Sequence, residues 1–158
     1  MIGYACYTSG CQKYPQGLPI IPPTDKADFL TIVGDTEHLP LLHPFESNTS
    51  SDVPLTERVK PSNPKKFLPT IFALPVPLKG LLIPDTLRSV HAPFWLQGVG
   101  AVLITDTGNL RTPHYHQPSD KPVNLDRKFF TGSAQIIVNA TTKFLNGNTS
   151  LTTVENPG

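Results

Sequence analysis

The chain has 158 residues, enough for one domain with a sizeable core, and nothing in it argues for two. Thirteen basic against twelve acidic side chains give a formal charge of +1, with no basic run longer than a pair such as Lys65 and Lys66, so a nucleic-acid partner is not expected: it would need several phosphates neutralised on one face. No apolar run approaches the ~18 residues that span a bilayer, and Met1 is not followed by a basic segment and an apolar stretch of the secretory kind, so neither a membrane partner nor an export signal is expected, and the compartment is left open.

Proline is the unusual component: 18 of 158 residues, roughly twice ordinary usage, which predicts a folded chain with long irregular connections. Residues 1–24 show no sustained period and read as an extended start followed by a proline-punctuated loop. Cys6 and Cys11 are close enough to close a small disulfide loop, with two free thiols an equal alternative; a C-x4-C pair without a second pair is a weak zinc signal. Residues 29–33 are β-branched and aromatic, end at Gly34 and Asp35, and predict the first strand. Beyond it the prolines at 40, 44, 54, 61 and 64 exclude a long helix, because each removes a donor and restricts its predecessor. Sequons at Asn48, Asn139 and Asn148 stand in a Ser/Thr-rich chain where such matches arise by chance, and they matter only in a glycosylating host.

Residues 68–74 are a second strand, with Pro69 and Pro75 near its ends where a missing N–H is tolerated, and 78–87 form a loop around Gly80 and Pro84. Residues 92–97 predict a short helix with Pro93 in its first turn, and Phe94 and Trp95 read as core. The short apolar run at 101–105, bounded by glycine, has the pattern of a strand buried on both faces. The last helix is the best marked: Asn124 serves as N-cap, Phe129, Phe130, Ile136, Ile137, Ala140 and Phe144 recur at helical spacing, and Gly147 stands at the carboxyl end. Gly132 within it costs about 1 kcal/mol relative to alanine, which the apolar face outweighs by packing on the sheet. Residues 148–158 read as a flexible tail.

The chemistry is sought in residues 88–120, RSVHAPFWLQGVGAVLITDTGNLRTPHYHQPSD, which hold three of the five histidines and the only tryptophan. In open α/β sheets, loops leaving the carboxyl ends of buried strands carry the ligands, which directs attention to 105–120. The order S-x-H-A-P-F-W, then G-x-G-A-V-L-I-T-D-T, then R-x-P-H-Y-H-Q-P-S-D resembles the last third of the di-zinc aminopeptidases related to bacterial leucyl aminopeptidases and glutaminyl cyclases, metallopeptidase family 28. The amino terminus is similar as well: Met1, Ile2, Gly3 and Tyr4, then Ser9, Gly10, Cys11 and Gln12, then Asp28 to Gly34 in the pattern D-F-L-x-x-V-G.

The resemblance implies an α/β fold, part of a three-layer αβα sandwich with a mixed, mainly parallel sheet whose N-terminal portion is missing, and makes residues 1–147 the C-terminal part of a zinc-peptidase catalytic domain. It implies a zinc-dependent exopeptidase, an aminopeptidase that takes a peptide substrate and releases its N-terminal residue with two zinc ions. Of the metal ligands it assigns only His116; the first histidine, the bridging aspartate, the general-base glutamate and its neighbour fall before Met1, so the isolated chain is expected to be inactive. Tyr115 and Met1 are assigned to the pocket for the substrate's first side chain, Asp106 and Asp120 to orienting the loop, His91 to a structural element beneath the site, and His114 reads as an exposed loop residue. Val90 is the sharpest departure, standing where the family has an aspartate. A non-catalytic remnant or binding module on the same fold, and a glutaminyl-cyclase-like acyltransferase with one zinc, are the alternative readings.

Overall fold

The computed structural model describes residues 1–16, 18, 24–46 and 67–147. The β-branched and aromatic run Phe29–Asp35 forms strand β1, and all seven of its residues are buried. Thr70–Val76 (β2) pairs with one edge of β1 in parallel, Phe29 opposite Thr70, and Val102–Thr105 (β3) pairs with the other edge antiparallel, Thr31 opposite Thr105. The order β2-β1-β3 makes a mixed three-stranded sheet in an α/β arrangement, with one parallel and one antiparallel pairing among the described residues.

Alternation along β1 sends side chains to two cores. Leu30 and Ile32 pack with Leu42, Phe45, Ile136 and Ala140, so the long helix Arg127–Leu145 and the single turn His43–Glu46 cover one face. Val33 packs with Leu74, Val76, Ile83 and Trp95, so the short helix Ala92–Leu96 and the 3-10 turns Leu78–Gly80 and Pro84–Leu87 cover the other. In chain order the helices are α1 (His43–Glu46), α2 (Ala92–Leu96) and α3 (Arg127–Leu145). Fully burying each large aliphatic side chain contributes about 1.5–3 kcal/mol, and β1 at the sheet centre contributes such side chains to both cores.

Several expectations are corrected. The run 101–105 faces both cores, Val102 and Ile104 packing against one and Ala101 and Leu103 against the other, but every residue of β3 is only half-buried, because among the described residues β3 is paired along one edge and β1 along both. The N-cap of α3 is Asp126, whose Oδ1 accepts the Phe129 N–H at 2.9 Å, and not Asn124, which lies in the 3-10 turn Pro122–Asn124 and donates from Nδ2 to the Ser119 carbonyl at 2.7 Å. Trp95 is core, its Nε1–H donating to the Ala101 carbonyl at 2.8 Å, but Phe94 is 52% exposed, because the single-turn α2 presents only one side to the sheet. Cys6 and Cys11 form a disulfide. After β1 the chain makes the 3-10 turn Thr36–Leu41 and then α1, consistent with the prolines. Residues 47–66, Asn48, Asn148 and the tail 148–158 lie outside the described residues, while Asn139 sits on α3 and accepts from Gln135 Nε2 at 2.8 Å.

Gly132 has a reason the helical pattern does not reveal. A Cβ there would stand 2.6 Å from Pro69 Cδ and 2.7 Å from the Phe67 carbonyl oxygen, so the glycine lets α3 approach the segment leading into β2. Gly132→Ala gains ~1 kcal/mol of helix propensity and meets a contact that side-chain rotation cannot relieve, an overpacking cost of about 1–3 kcal/mol. We expect the variant to unfold a few degrees lower than the parent by circular dichroism; an increase in Tm would refute the close-packing role.

Candidate functional site

The site is assembled by the loop that leaves β3. Asp106 follows the strand and is fully buried, and its carboxylate accepts three backbone N–H groups: Oδ2 takes those of Gly3 at 2.8 Å and Tyr4 at 3.0 Å, and Oδ1 takes that of Gly108 at 3.1 Å. Its own N–H donates to the Met1 carbonyl at 2.8 Å. An aspartate is what such a position requires, since an ionised carboxylate is acceptor-only and strong toward several donors. The consequence is that the amino-terminal residues are tied to the end of β3.

Arg111 performs a second tie. Its guanidinium is buried, with Nε donating to Gln12 Oε1 at 2.9 Å and Thr107 Oγ1 at 3.1 Å, and Nη1 reaching the carbonyls of Tyr4 at 3.4 Å, Ala27 at 3.3 Å and Phe29 at 3.0 Å. It also lies over the Phe29 ring, 4.7 Å from the centroid. Burial pushes its pKa down to about 10, opposed chiefly by the charge of Asp106, so it remains a cation at neutral pH.

With those ties in place, the next turn presents the predicted residues. The Tyr115 and His116 rings stack at 4.0 Å, His116 adopts the left-handed conformation at φ 55°, and the Arg88 guanidinium stands 5.8 Å from the Tyr115 centroid. A non-glycine residue held there stores about 1–3 kcal/mol of strain, a feature that clusters at functional sites. Gly108 makes room for the arrangement: a Cβ would lie 3.0 Å from the Tyr115 ring.

Met1, Tyr115 and His116, from opposite ends of the chain, thus line one cavity of about 410 Å³, together with Asp120. Its inner wall is the sheet face carrying Phe29, Phe72, Leu74 and Leu103. Thr31, 4% exposed, lines the same space, and its Oγ1 has no hydrogen-bond partner among the described residues. His114 does not line the cavity; it is half-buried, with Nδ1 at 3.0 Å from Ser119 Oγ. His91 is buried, with Nε2 donating to the Thr86 carbonyl at 2.6 Å and its ring edge-on to Trp95 at 4.3 Å, and burial pushes its pKa down, so it sits as a neutral imidazole with a structural role. Val90 is 82% exposed and outside the cavity, so an aspartate at that position would be solvated rather than buried.

His116 is exposed at the cavity and offers an imidazole to a metal. Among the described residues no trio of His, Cys, Asp and Glu close enough to share an ion includes it; the one trio that qualifies, Asp35, Glu37 and His38, lies at the end of β1. Zinc takes four ligands in structural sites and three protein ligands in catalytic ones, so His116 fits as a single member of an incomplete set. Sequence reasoning did not assign a role to Arg111, Thr31 or that trio. The signal for Arg111 was its place in R-x-P-H-Y-H; nothing local marks Thr31.

No family model and no solved structure matches the chain. Over 137 residues, 87% of its length, it is 27% identical to the uncharacterized protein YfbL of Escherichia coli (strain K12), of which it spans 36%.

Proposed function

We propose that this chain is the carboxyl-terminal part of a zinc-dependent exopeptidase of the aminopeptidase type, with His116 as a metal ligand and Met1 and Tyr115 lining the pocket for the first side chain of a peptide. One observation carries the reading: the three residues singled out by motif order, lying 114 or more positions apart for Met1 and the histidine loop, meet at a single cavity of about 410 Å³. A bound zinc pair would supply Lewis-acid polarisation of the scissile carbonyl and a hydroxide at neutral pH. The chain's own residues hold and orient. Tyr115 stacks on the His116 imidazole and fixes its plane, Asp106 keeps Met1 at the cavity, and Phe72, Leu74 and Leu103 offer an apolar wall to the side chain. The bridging carboxylate, the other ligands and the general base belong, on this reading, to a segment preceding Met1.

The test uses ring-proton NMR and turnover together. In the isolated chain, zinc should shift the His116 ring resonances while an aminoacyl chromogenic substrate is not hydrolysed, because one imidazole does not replace the missing ligands and base. Joined to a complementing N-terminal segment, the chain should hydrolyse that substrate, and His116→Ala should lower kcat/KM at least 100-fold. Zinc-dependent turnover by the isolated chain would refute its incompleteness, and an indifferent His116 in both forms would refute the peptidase reading.

A further inference from the structure

Asp35, Glu37 and His38 occupy the turn that leaves β1, outside the cavity lining but two residues beyond Val33, which lines it; Gly34 pairs with Val102 at the start of β3. One ligand atom from each of the three residues lies within 4.8 Å of the others. Asp35 is 1% exposed, and its carboxylate faces the other two: Oδ1 accepts the Glu37 N–H at 2.8 Å and stands 2.9 Å from His38 Nδ1. Oδ2, held beside Oδ1 on the same carbon, is buried and has no partner among the described residues. A buried carboxylate oxygen with no donor is costly, and such groups call for an explanation, an ion among them.

We infer that Asp35, Glu37 and His38 form a binding site for a first-row divalent cation of the zinc type, separate from the cavity at His116. Two carboxylates and an imidazole are the ligand set that suits such ions. The 2.9 Å between Oδ1 and Nδ1 is the spacing of adjacent ligands around one metal, since bonds of about 2.0–2.1 Å meeting at about 90–109° put ligand atoms ~2.9–3.4 Å apart. Coordination by His38 Nδ1 places its proton on Nε2, and an ion beside Oδ1 supplies positive charge to the Asp35 carboxylate, whose Oδ2 has no donor among the described residues. The local sequence prepares this. His38 breaks the 3-10 turn with φ −129° and ψ 40°, and its ring rests on Gly100, where a Cβ would lie 2.8 Å from Cδ2 and 2.9 Å from Cγ. Glu37 is the movable ligand, 53% exposed and 3.6 Å from Lys79 Nζ, so the lysine competes with the ion for it. Occupancy would fix the turn that leaves β1, with the His38 ring held against Gly100, a structural role that does not depend on the peptidase reading.

The test is zinc titration of the chain by calorimetry in a His116→Ala background, which removes the ligand invoked at the cavity. One zinc per chain is expected, with a rise in Tm on saturation. His38→Gln should weaken binding at least tenfold, Asp35→Asn similarly, Gly100→Ala should weaken it by displacing the ring, and Lys79→Gln should tighten it several-fold. His38 and Lys79 are partly exposed, so those variants keep the question decidable where Asp35→Asn does not fold. Absence of zinc binding in the His116→Ala background, or binding that His38→Gln leaves unchanged and other surface histidines therefore supply, would overturn the proposal. Retention of this zinc with an indifferent His116 would refute the peptidase reading alone.

Discussion

Arg111→Met should lower stability by about 3–5 kcal/mol, the cost typical of removing one partner from a buried charged network. The methionine retains length and apolar packing against Phe29, so the loss isolates the guanidinium's hydrogen bonds. Gln12 Oε1 and the carbonyls of Tyr4, Ala27 and Phe29 would lose a shared donor. Those acceptors belong to three separate segments, so their detachment loosens the amino-terminal residues, the loop and β1 together. For a chain of this size each kcal/mol moves Tm by roughly 2–4 °C, and a decrease of about 10 °C by calorimetry is the expected reading. Arg111→Lys should recover little, since a single ammonium cannot reproduce a planar fork that donates in two directions and stacks on a ring. A methionine variant within 1 °C of the parent would show that the network contributes nothing net.

Asp106→Ala should be nearly as damaging, with a more local signature. Its carboxylate accepts from Gly3, Tyr4 and Gly108, and hydrogen bonds to a charged acceptor contribute about 1.5–3 kcal/mol each before the donors find substitutes. A net loss of about 3–4 kcal/mol is expected. Asp106→Asn keeps one acceptor oxygen but turns an amide donor toward backbone donors, so it should also destabilise. The specific consequence is that Met1 leaves the cavity, read as a change in the Met1 methyl resonance and in its contacts with the Gly108 and Tyr115 loop. A stable Asp106→Ala chain with an unshifted Met1 methyl would contradict the tie. Asp106 acts on Arg111 through its charge, so the double variant should cost less than the two losses added together.

How much of this was legible in the sequence depended on the range of the force responsible. β1 and α3 were readable because their signals are local: a β-branched and aromatic run closed by Gly34 and Asp35, and apolar residues at helical spacing from Phe129 to Phe144. The helix start was not. Asn124 and Asp126 are both competent caps by residue type, and the choice falls to Asp126, whose N–H meets the Gly3 carbonyl at 2.9 Å, a contact from the other end of the chain. β3 looked like a doubly buried strand because apolar content reports burial without saying how many neighbours a strand has; sheet order decides that.

The same division holds for the candidate sites. The resemblance in motif order nominated His116, Tyr115 and Met1; residue type and spacing alone would not have singled them out. That they share a cavity with Thr31 and Phe72 follows from strand register, which places those two residues opposite each other and is a property of pairing. Arg111 is polar, and by composition alone it belongs on the surface; it is buried because carbonyls from separate segments converge on it, and only the tertiary structure brings them there. Asp35, Glu37 and His38 are neighbours in sequence, yet their spacing is unremarkable until the backbone breaks at His38 and Gly100 admits its ring. By itself, then, the sequence determined the local elements and the residues able to do chemistry, since both depend on contacts within a few positions; which of those residues face one another, and which are closed off from water, was decided by the tertiary packing of segments about a hundred positions apart.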